Sequence, residues 1–366
     1  MMDSVIKNYY EKTKLNYQIL NGIADLVRVI DTNNSVVFVN RAMEETLGYD
    51  TETLTCNLNQ TFLKSDITRR TLETGEIIQR EENLDGKSYS VKCSPIIGAR
   101  GEIIGAVEVF RNTTYEKKLQ REIINRNKQM TVEMIQASKI QQSLLPEKGF
   151  LSNLEIDYMY KPSDMLSGDM FDAFKINNDN IGIYVADVVG HGFASSMVTM
   201  FIRLLIRNLS VAKLLKPSKT IGEVNKRFAI LNLDIEIYFT FFYGVYNKKT
   251  GKFIFSNAGH FPSPLLYDGE NLVNLETTGF PISRFFAGVE YEDYYINLDC
   301  SDKILFMTDG VTETENRKKE PFGTERIGKI LKEKSVDELE LINKELMDFL
   351  YAEQKDDITA LLIKVW

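Results

Sequence analysis

Five aspartates carry the chemistry open to this chain. Asp187 closes the apolar run IGIYVAD, Asp309 closes KILFMTDG, Asp356 and Asp357 stand just before ITALLI, and Asp169 lies in MLSGDMFDAF ahead of another strand-like stretch. A single buried strand that halts on an acid usually caps a turn. Three such ends in one region call for another reason. Two strands leaving a point and one entering it fit an antiparallel sheet with the acids along one rim. Two carboxylates ~4 Å apart at a partly buried site repel by roughly 4 kcal/mol at an effective dielectric near 20. Either one of them holds a proton or a cation neutralises them. The chain has only two histidines, His191 and His260, so the ligands on offer are mainly oxygens, which select Mg²⁺ or Mn²⁺ rather than zinc. The glycines near Asp187 let the backbone approach an ion closely, and Asp187 reads as a bridging ligand.

The elements that must position these acids lie between residues 150 and 366. IGIYVADV, IYFTFFYGVYN, KFIFSNAG, DKILFMTDG and DITALLIKV read as buried strands, and residues 193–209 as a helix with Phe193, Met197, Met200, Phe201, Leu204 and Leu205 on one stripe. YFTFFYGVYNKKTGKFIFSN is a strand–turn–strand hairpin, which favours antiparallel pairing over repeated βαβ units. The segment is long enough for a substantial core, and the expected architecture is an α/β sandwich around antiparallel sheets.

Upstream the pattern differs. Residues 1–20 read as a polar helix. DLVRVID and SVVFVN are short apolar runs joined through Thr32, Asn33 and Asn34, a hairpin signal, and RAMEETLGY reads as a helix stopping at Gly48. EIIQREENL, KSYSVKCSPII and EIIGAVEVFRN are strand-like and meet at Asp85-Gly86 and at Gly98-Ala99-Arg100-Gly101. Two strands, short helices and three strands resemble a PAS domain over residues 16–114, and VIDTNNSVVFVNRAMEETLGY and TLETGE strengthen the resemblance. PAS domains are sensor or dimerisation modules. No histidine falls in this region, which excludes a histidine-ligated haem. Cys56 stands at the wrong offset from Leu47-Gly48-Tyr49 for a flavin photosensor.

Residues 115–145 contain no Gly or Pro. Ile123, Asn127, Met130, Met134, Ala137, Gln141 and Leu144 alternate by four and three, the period of a coiled-coil seam. Two of the seven are polar, so the seam is a weak one; a single amphipathic helix packed on a neighbouring domain is the alternative.

Composition narrows the classes. The 366 residues suit two or three domains. A hydrophobic fraction of 43% with 26% charged residues is that of a soluble globular chain, and a formal charge of −8 argues against nucleic acid as partner. No apolar run approaches ~18 residues and the start lacks the apolar core of a signal peptide. Cys56, Cys93 and Cys300 are odd in number and far apart, so neither a disulfide framework nor a cysteine zinc site is expected. A cytoplasmic protein is the default expectation.

Five ordered motifs, LSGDMFDAF, VADVVGHGFASSM, NAGHFPSPLL, MTDGVTE and KDDIT, together with the lead-in IQQSLLP at 140–146, resemble the metal-dependent protein phosphatases of the PPM family in the SpoIIE-like branch, over residues 136–366. The resemblance implies an α+β chain: an N-terminal helix (1–15), a PAS-like sensor (16–114), a coiled-coil-like helical linker (115–145), and a PPM-type α-β-β-α sandwich with antiparallel sheets (146–366). It implies two Mn²⁺ or Mg²⁺ ions bridged by Asp187, with the Val188 carbonyl as a further ligand, Asp309 and Asp356 on one ion, and Asp169 supporting the other through water. Asp187, Asp309 and Asp169 are thus the expected catalytic set. Gly190, Gly192 and Gly310 shape the loops, and Glu313 orients the loop of Asp309. His191 is either a proton donor to the leaving group or a loop support, Asp357 a turn-stabilising residue, and His260 with Pro262 shapes a hairpin end. Ser167 and Val189 stand where Gly and Ser are usual; neither removes a ligand. Members with this layout dephosphorylate phosphoserine or phosphothreonine on an anti-anti-sigma protein and release a sigma factor by partner switching. The implied partners are that phosphoprotein and a second copy of the chain, joined through the PAS domain and linker; no membrane is implied.

Two rivals come from other classes. A PAS-linked diguanylate cyclase is suggested by SGDMF, similar to the GGDEF signature, but leaves Asp187, Asp309 and Asp356 unexplained. A non-catalytic interaction scaffold is the other. GVYNKKTGKF has the wrong gap for a P-loop and no G-x-S-x-G elbow occurs.

Overall fold

The computed structural model describes residues 14–47, 66–84, 86–190, 192–234, 236–332 and 337–366. Most of the expected N-terminal helix, Gly48, Cys56, Asp85 and His191 lie outside the described residues. The chain divides into two compact units, Met1–Gln129 and Met130–Trp366.

The first unit is built on β1 (Leu26–Asp31), β2 (Val36–Val39), β3 (Ile78–Leu84), β4 (Lys87–Ile97) and β5 (Ile103–Asn112), with helices α1 (Arg41–Leu47) and α2 (Asp66–Thr74). Sheet order is β2-β1-β5-β4-β3, all antiparallel. Leu26, Ile30, Val91, Cys93, Ala106 and Phe110 share the buried face. In their midst Arg28 and Glu108, cross-strand partners, form a buried ion pair, and the Thr68 hydroxyl donates to Glu108. Helix α3 (Thr114–Ser143) then runs for 30 residues across the division between the units.

The second unit is a four-layer sandwich. One sheet has the order β14-β11-β10-β9-β8, from β8 (Asp169–Lys175), β9 (Asn180–Val188), β10 (Phe239–Asn247), β11 (Lys252–Ala258) and β14 (Tyr294–Asn297). The other runs β13-β12-β15-β16-β7-β6, from β6 (Gly149–Leu151), β7 (Leu154–Lys161), β12 (Leu265–Tyr267), β13 (Leu272–Asn274), β15 (Lys303–Met307) and β16 (Ile358–Val365). Side chains of period two sort the layers. Phe171, Val185, Phe242, Phe255, Phe306 and Leu361 fill the space between the sheets. Tyr184, Ala186 and Val188 face the other way, onto α4 (Phe193–Arg207) and, beyond the short α5 (Val211–Leu214), α6 (Pro217–Ile230). Leu305, Met307 and Leu362 do the same for the second sheet beneath α8 (Thr324–Lys332) and α9 (Glu338–Phe349); a four-residue α7 (Asp309–Thr312) precedes them. Strands covered on both faces explain the near-continuous apolar runs.

Two expectations are corrected. The acids lie along the rim of two facing sheets, not of one: Asp169 and Asp187 belong to one sheet, while Asp309, Asp356 and Asp357 flank β15 and β16 of the other. In α4 the stripe of Phe193, Met197 and Leu204 points outward; Val198, Ile202, Leu205 and Ile206, with Ser195 and Thr199, form the buried face. Helix α4 carries two overlapping apolar stripes, and periodicity alone does not say which one the sheet takes.

Candidate metal centre

The acids sit where the apolar filling between the sheets stops. On β8 the inward residues are Ala173, Phe171 and then Asp169; on β9 they are Ile183, Val185 and then Asp187. Asp169 and Asp187 are direct cross-strand partners, which puts their Cβ atoms ~5 Å apart. On the opposing sheet the inward series Ile304, Phe306 reaches Thr308, one residue short of Asp309. There β16 begins at Ile358, directly after Asp356 and Asp357.

Burial and mutual repulsion act on this group together. The Asp187 carboxyl is pushed up to about 7, first by burial and then by Asp309, Asp356 and Asp357. Asp309 is pushed up to about 6 by burial, Asp356 and Glu313. Asp169 stands well above the usual carboxylate range through burial, Asp187 and Asp357. Such a cluster of acids that resist ionisation is the electrostatic setting a hard cation relieves. Among the described residues no three His, Cys, Asp or Glu side chains converge on one point as a finished cage. The donor set is therefore an open rim of oxygens facing one another across two sheets, and its chemistry fits Mg²⁺ or Mn²⁺. Asp169, Asp187, Asp309 and Asp356 would hold the ions, with the carbonyl of Val188, at the end of β9, beside them.

Asp357 plays a different part. Its Oδ1 accepts from the Ser163 amide (2.6 Å) and hydroxyl (2.9 Å), and its Oδ2 from the Ser167 hydroxyl (2.9 Å) and the Gly168 amide (2.6 Å). With both oxygens used, the buried Asp357 staples the 163–168 loop to the start of β16. The Ser167 hydroxyl also accepts from the Asp169 amide at 3.0 Å, so the serine at this position links the staple to an acid of the rim.

Three glycines allow these approaches. Gly190 (φ +85°) and Gly192 (φ +92°) hold the left-handed backbone that leads from β9 into α4. A Cβ on Gly310 would stand 2.1 Å from the Asp357 carbonyl oxygen, so only glycine lets the two ligand-bearing segments meet. Asp309 heads α7, and the Glu313 amide donates to the Asp309 carbonyl over 2.7 Å.

Some supports were not read from the sequence. Thr308, fully buried, donates its hydroxyl to Asp169 Oδ2 over 2.9 Å. Gln141, assigned above to a coiled-coil seam, is buried instead. Its Nε2 donates to the Ser167 carbonyl (2.7 Å) and to Thr199 Oγ1 (3.0 Å), and its Oε1 accepts from the Ser167 amide (3.1 Å). A glutamine inside the lead-in motif was the available signal; a seam period alone did not reveal it.

Comparison with known proteins identifies the family and the fold. Residues 177–366, more than half of the chain, match the family described as Stage II sporulation protein E (SpoIIE), and residues 14–112 match the PAS fold. The chain belongs to the SpoIIE family, with a PAS domain ahead of its PP2C-type domain. It is 29% identical to the phosphoserine phosphatase RsbP of Bacillus subtilis over 180 residues, 48% of this chain and 44% of that protein. To the phosphoserine phosphatase RsbU of the same organism it is 29% identical over 184 residues, 49% of this chain and 54% of that one. The chain thus spans about half the length of these curated relatives. The SiaA-PP2C domain of Pseudomonas aeruginosa shares the fold at a TM-score of 0.58 and 21% identity, over 66% of this chain and 99% of the other. Membership in this family leaves the SGDMF likeness to a cyclase signature without support. Among the described residues no helix is long and apolar enough to cross a membrane.

Proposed function

We propose that the chain is a metal-dependent phosphoserine/phosphothreonine protein phosphatase. The observation that carries this reading is the rim itself: Asp169 and Asp187 on one sheet meet Asp309 and Asp356 beside the other, and burial with this crowding of acids raises the carboxyls of Asp169, Asp187 and Asp309 at the mouth of an otherwise apolar sandwich. Two Mg²⁺ or Mn²⁺ ions held by these acids would supply Lewis acidity, to activate a water and to neutralise the phosphoryl oxygens. The chain's own part is to hold those acids: Thr308 fixes Asp169, Asp357 fixes the loop before it, and Gly310 lets the two β16-side segments close up. The names of RsbP and RsbU support a phosphoserine substrate.

The finer reading follows the layout. The N-terminal segment (1–15), PAS sensor (16–114), helical linker (115–145) and phosphatase (146–366) form a switchable enzyme acting in the cytoplasm on a phosphorylated anti-anti-sigma protein in a partner-switching pathway. A second copy of the chain pairs through the PAS domain and α3, whose Ile123 and Met130 are exposed seam residues. The scaffold alternative draws on one fact, that no three described acids form a finished cage.

Hydrolysis of a small aryl phosphate and of a phosphoserine protein, with Mn²⁺, with chelator and with Asp187→Ala, tests the reading. Metal-dependent turnover lost in the variant supports it. Mn²⁺ binding without turnover of either substrate favours the scaffold.

A further inference from the structure

The motif NAGHFPSPLL places a histidine where the metal reading gives it no task. His260 is 2% exposed and lies just after β11, between the two sheets. Both ring nitrogens are engaged. Nε2 lies 3.1 Å from the Met307 carbonyl oxygen, and Nδ1 lies 3.0 Å from Thr240 Oγ1. A carbonyl only accepts, so Nε2 carries the proton and Nδ1 accepts from the threonine hydroxyl. Burial pushes the imidazole down to about 4, which keeps it neutral. Its backbone is gripped as well: the His260 amide donates to Asn257 Oδ1 (2.7 Å), and Asn257 Nδ2 donates to the His260 carbonyl (3.1 Å).

The two partners of the ring are not arbitrary points in the core. Thr240 is the cross-strand partner of Asp187 on β10. Met307 ends β15, two residues before Asp309. The imidazole therefore spans from the strand beside one rim acid to the strand that delivers another, and these strands belong to two separate sheets.

We infer that His260 is a positioning residue: a neutral crossbar, with Thr240, that sets the separation of Asp187 and Asp309 and so the affinity of the centre for its cations. This inference rests on the metal-centre reading. A rim assembled from two sheets has no covalent or ladder constraint on its width; the bond from the Thr308 hydroxyl to Asp169 is one polar tie across it, and the imidazole is a second, on the Asp187 side. A planar ring with one donor and one acceptor fixed on opposite sides supplies a rigid strut.

The test uses the full chain and Mn²⁺ alone as probe. Calorimetric Mn²⁺ affinity and thermal unfolding without metal are measured for wild type, His260→Phe, Thr240→Val and Thr240→Ser. The inference expects Mn²⁺ affinity to fall on the order of ten-fold in His260→Phe and several-fold in Thr240→Val, with Thr240→Ser close to wild type. Adding Thr240→Val to His260→Phe should cost nothing more, because the strut is already gone. Variants that lose thermal stability but bind Mn²⁺ as wild type does would overturn the crossbar and leave His260 a core residue. If His260→Phe does not fold, the threonine pair decides by itself: equal affinity for valine and serine overturns the inference. Wild-type protein that binds no Mn²⁺ would overturn the metal-centre reading, and the crossbar with it.

Discussion

The hydroxyl of Thr308 donates to Asp169 Oδ2 over 2.9 Å, joining the end of one sheet to the first residue of a strand in the other. Thr308 Oγ1 also accepts from the Thr359 amide at 3.2 Å, so the hydroxyl is held on both sides. A bond from a hydroxyl to a buried carboxylate contributes about 1.5–3 kcal/mol when the carboxylate is charged. Thr308→Val keeps the shape and removes the bond. Phosphatase kcat/KM should fall roughly ten- to hundred-fold, while Thr308→Ser stays near wild type. Steady-state kinetics on both variants, beside their unfolding temperatures, check this; equal activity for valine and threonine refutes it.

Gln141 reaches from the C-terminal turns of α3 into the same region, bonding both the amide and the carbonyl of Ser167. Ser167 in turn contacts the Asp169 amide and Asp357. Removing the carboxamide leaves buried backbone groups unpaired, at about 1–3 kcal/mol. Gln141→Ala should therefore lower activity by about ten-fold or more and speed amide exchange at Ser167–Asp169, with exchange in β10 unchanged. Exchange at 167–169 as slow as in wild type would show that the helix end does not hold the loop.

Much of this arrangement was legible in the sequence, and the failures share a cause. Strand ends within two residues of Asp187 and Asp309, the 239–258 hairpin and the five strands of the PAS sheet follow from local alternation and turn residues. The division of the acids between two sheets did not, because which strands share a ladder is a non-local fact. Outward-facing Phe193, Met197 and Leu204 could not be told from inward Val198 and Ile202 by period, since both stripes are apolar. Thr308, Gln141 and His260 carry their meaning in partners tens of residues away. A polar residue in an apolar neighbourhood was the only local hint.

Asp356 and Asp357 are adjacent but should respond oppositely to the same change. Asp356 is exposed, whereas Asp357 is buried and accepts four hydrogen bonds. In Asp357→Asn an NH₂ group meets donors, so stability should fall by about 2–4 kcal/mol. Asp356→Asn removes a charge that repels Asp187 and Asp309, so the metal-free unfolding temperature should stay level or rise slightly, and Mn²⁺ binding should weaken instead. Denaturant melts and calorimetry on the two variants separate the roles; the reverse pattern would exchange the assignments of staple and ligand.

The raised carboxyls of the rim fix the sign of two pH effects. Asp187 and Asp309 titrate at about 7 and about 6 in the folded chain, against 3.8 for an ordinary aspartate. Between about pH 4 and 7 the metal-free folded state thus binds more protons than the unfolded one, and its stability falls as pH rises through that window. Above pH 7 Asp187 and Asp309 are ionised in both forms and their contribution levels. Cations compete with the same protons, so Mn²⁺ affinity should move the other way. It should drop by about ten-fold per pH unit for each proton displaced as pH falls below 7, more steeply below 6, where Asp309 is protonated too. Thermal unfolding from pH 4.5 to 8, with chelator and with saturating Mn²⁺, reads both effects. The chelated protein should lose stability toward pH 7, and the difference between the two curves should widen as pH rises. A chelated curve that does not fall toward pH 7 would mean that these carboxyls are not raised in the folded chain, and parallel curves would mean that they do not hold the ion.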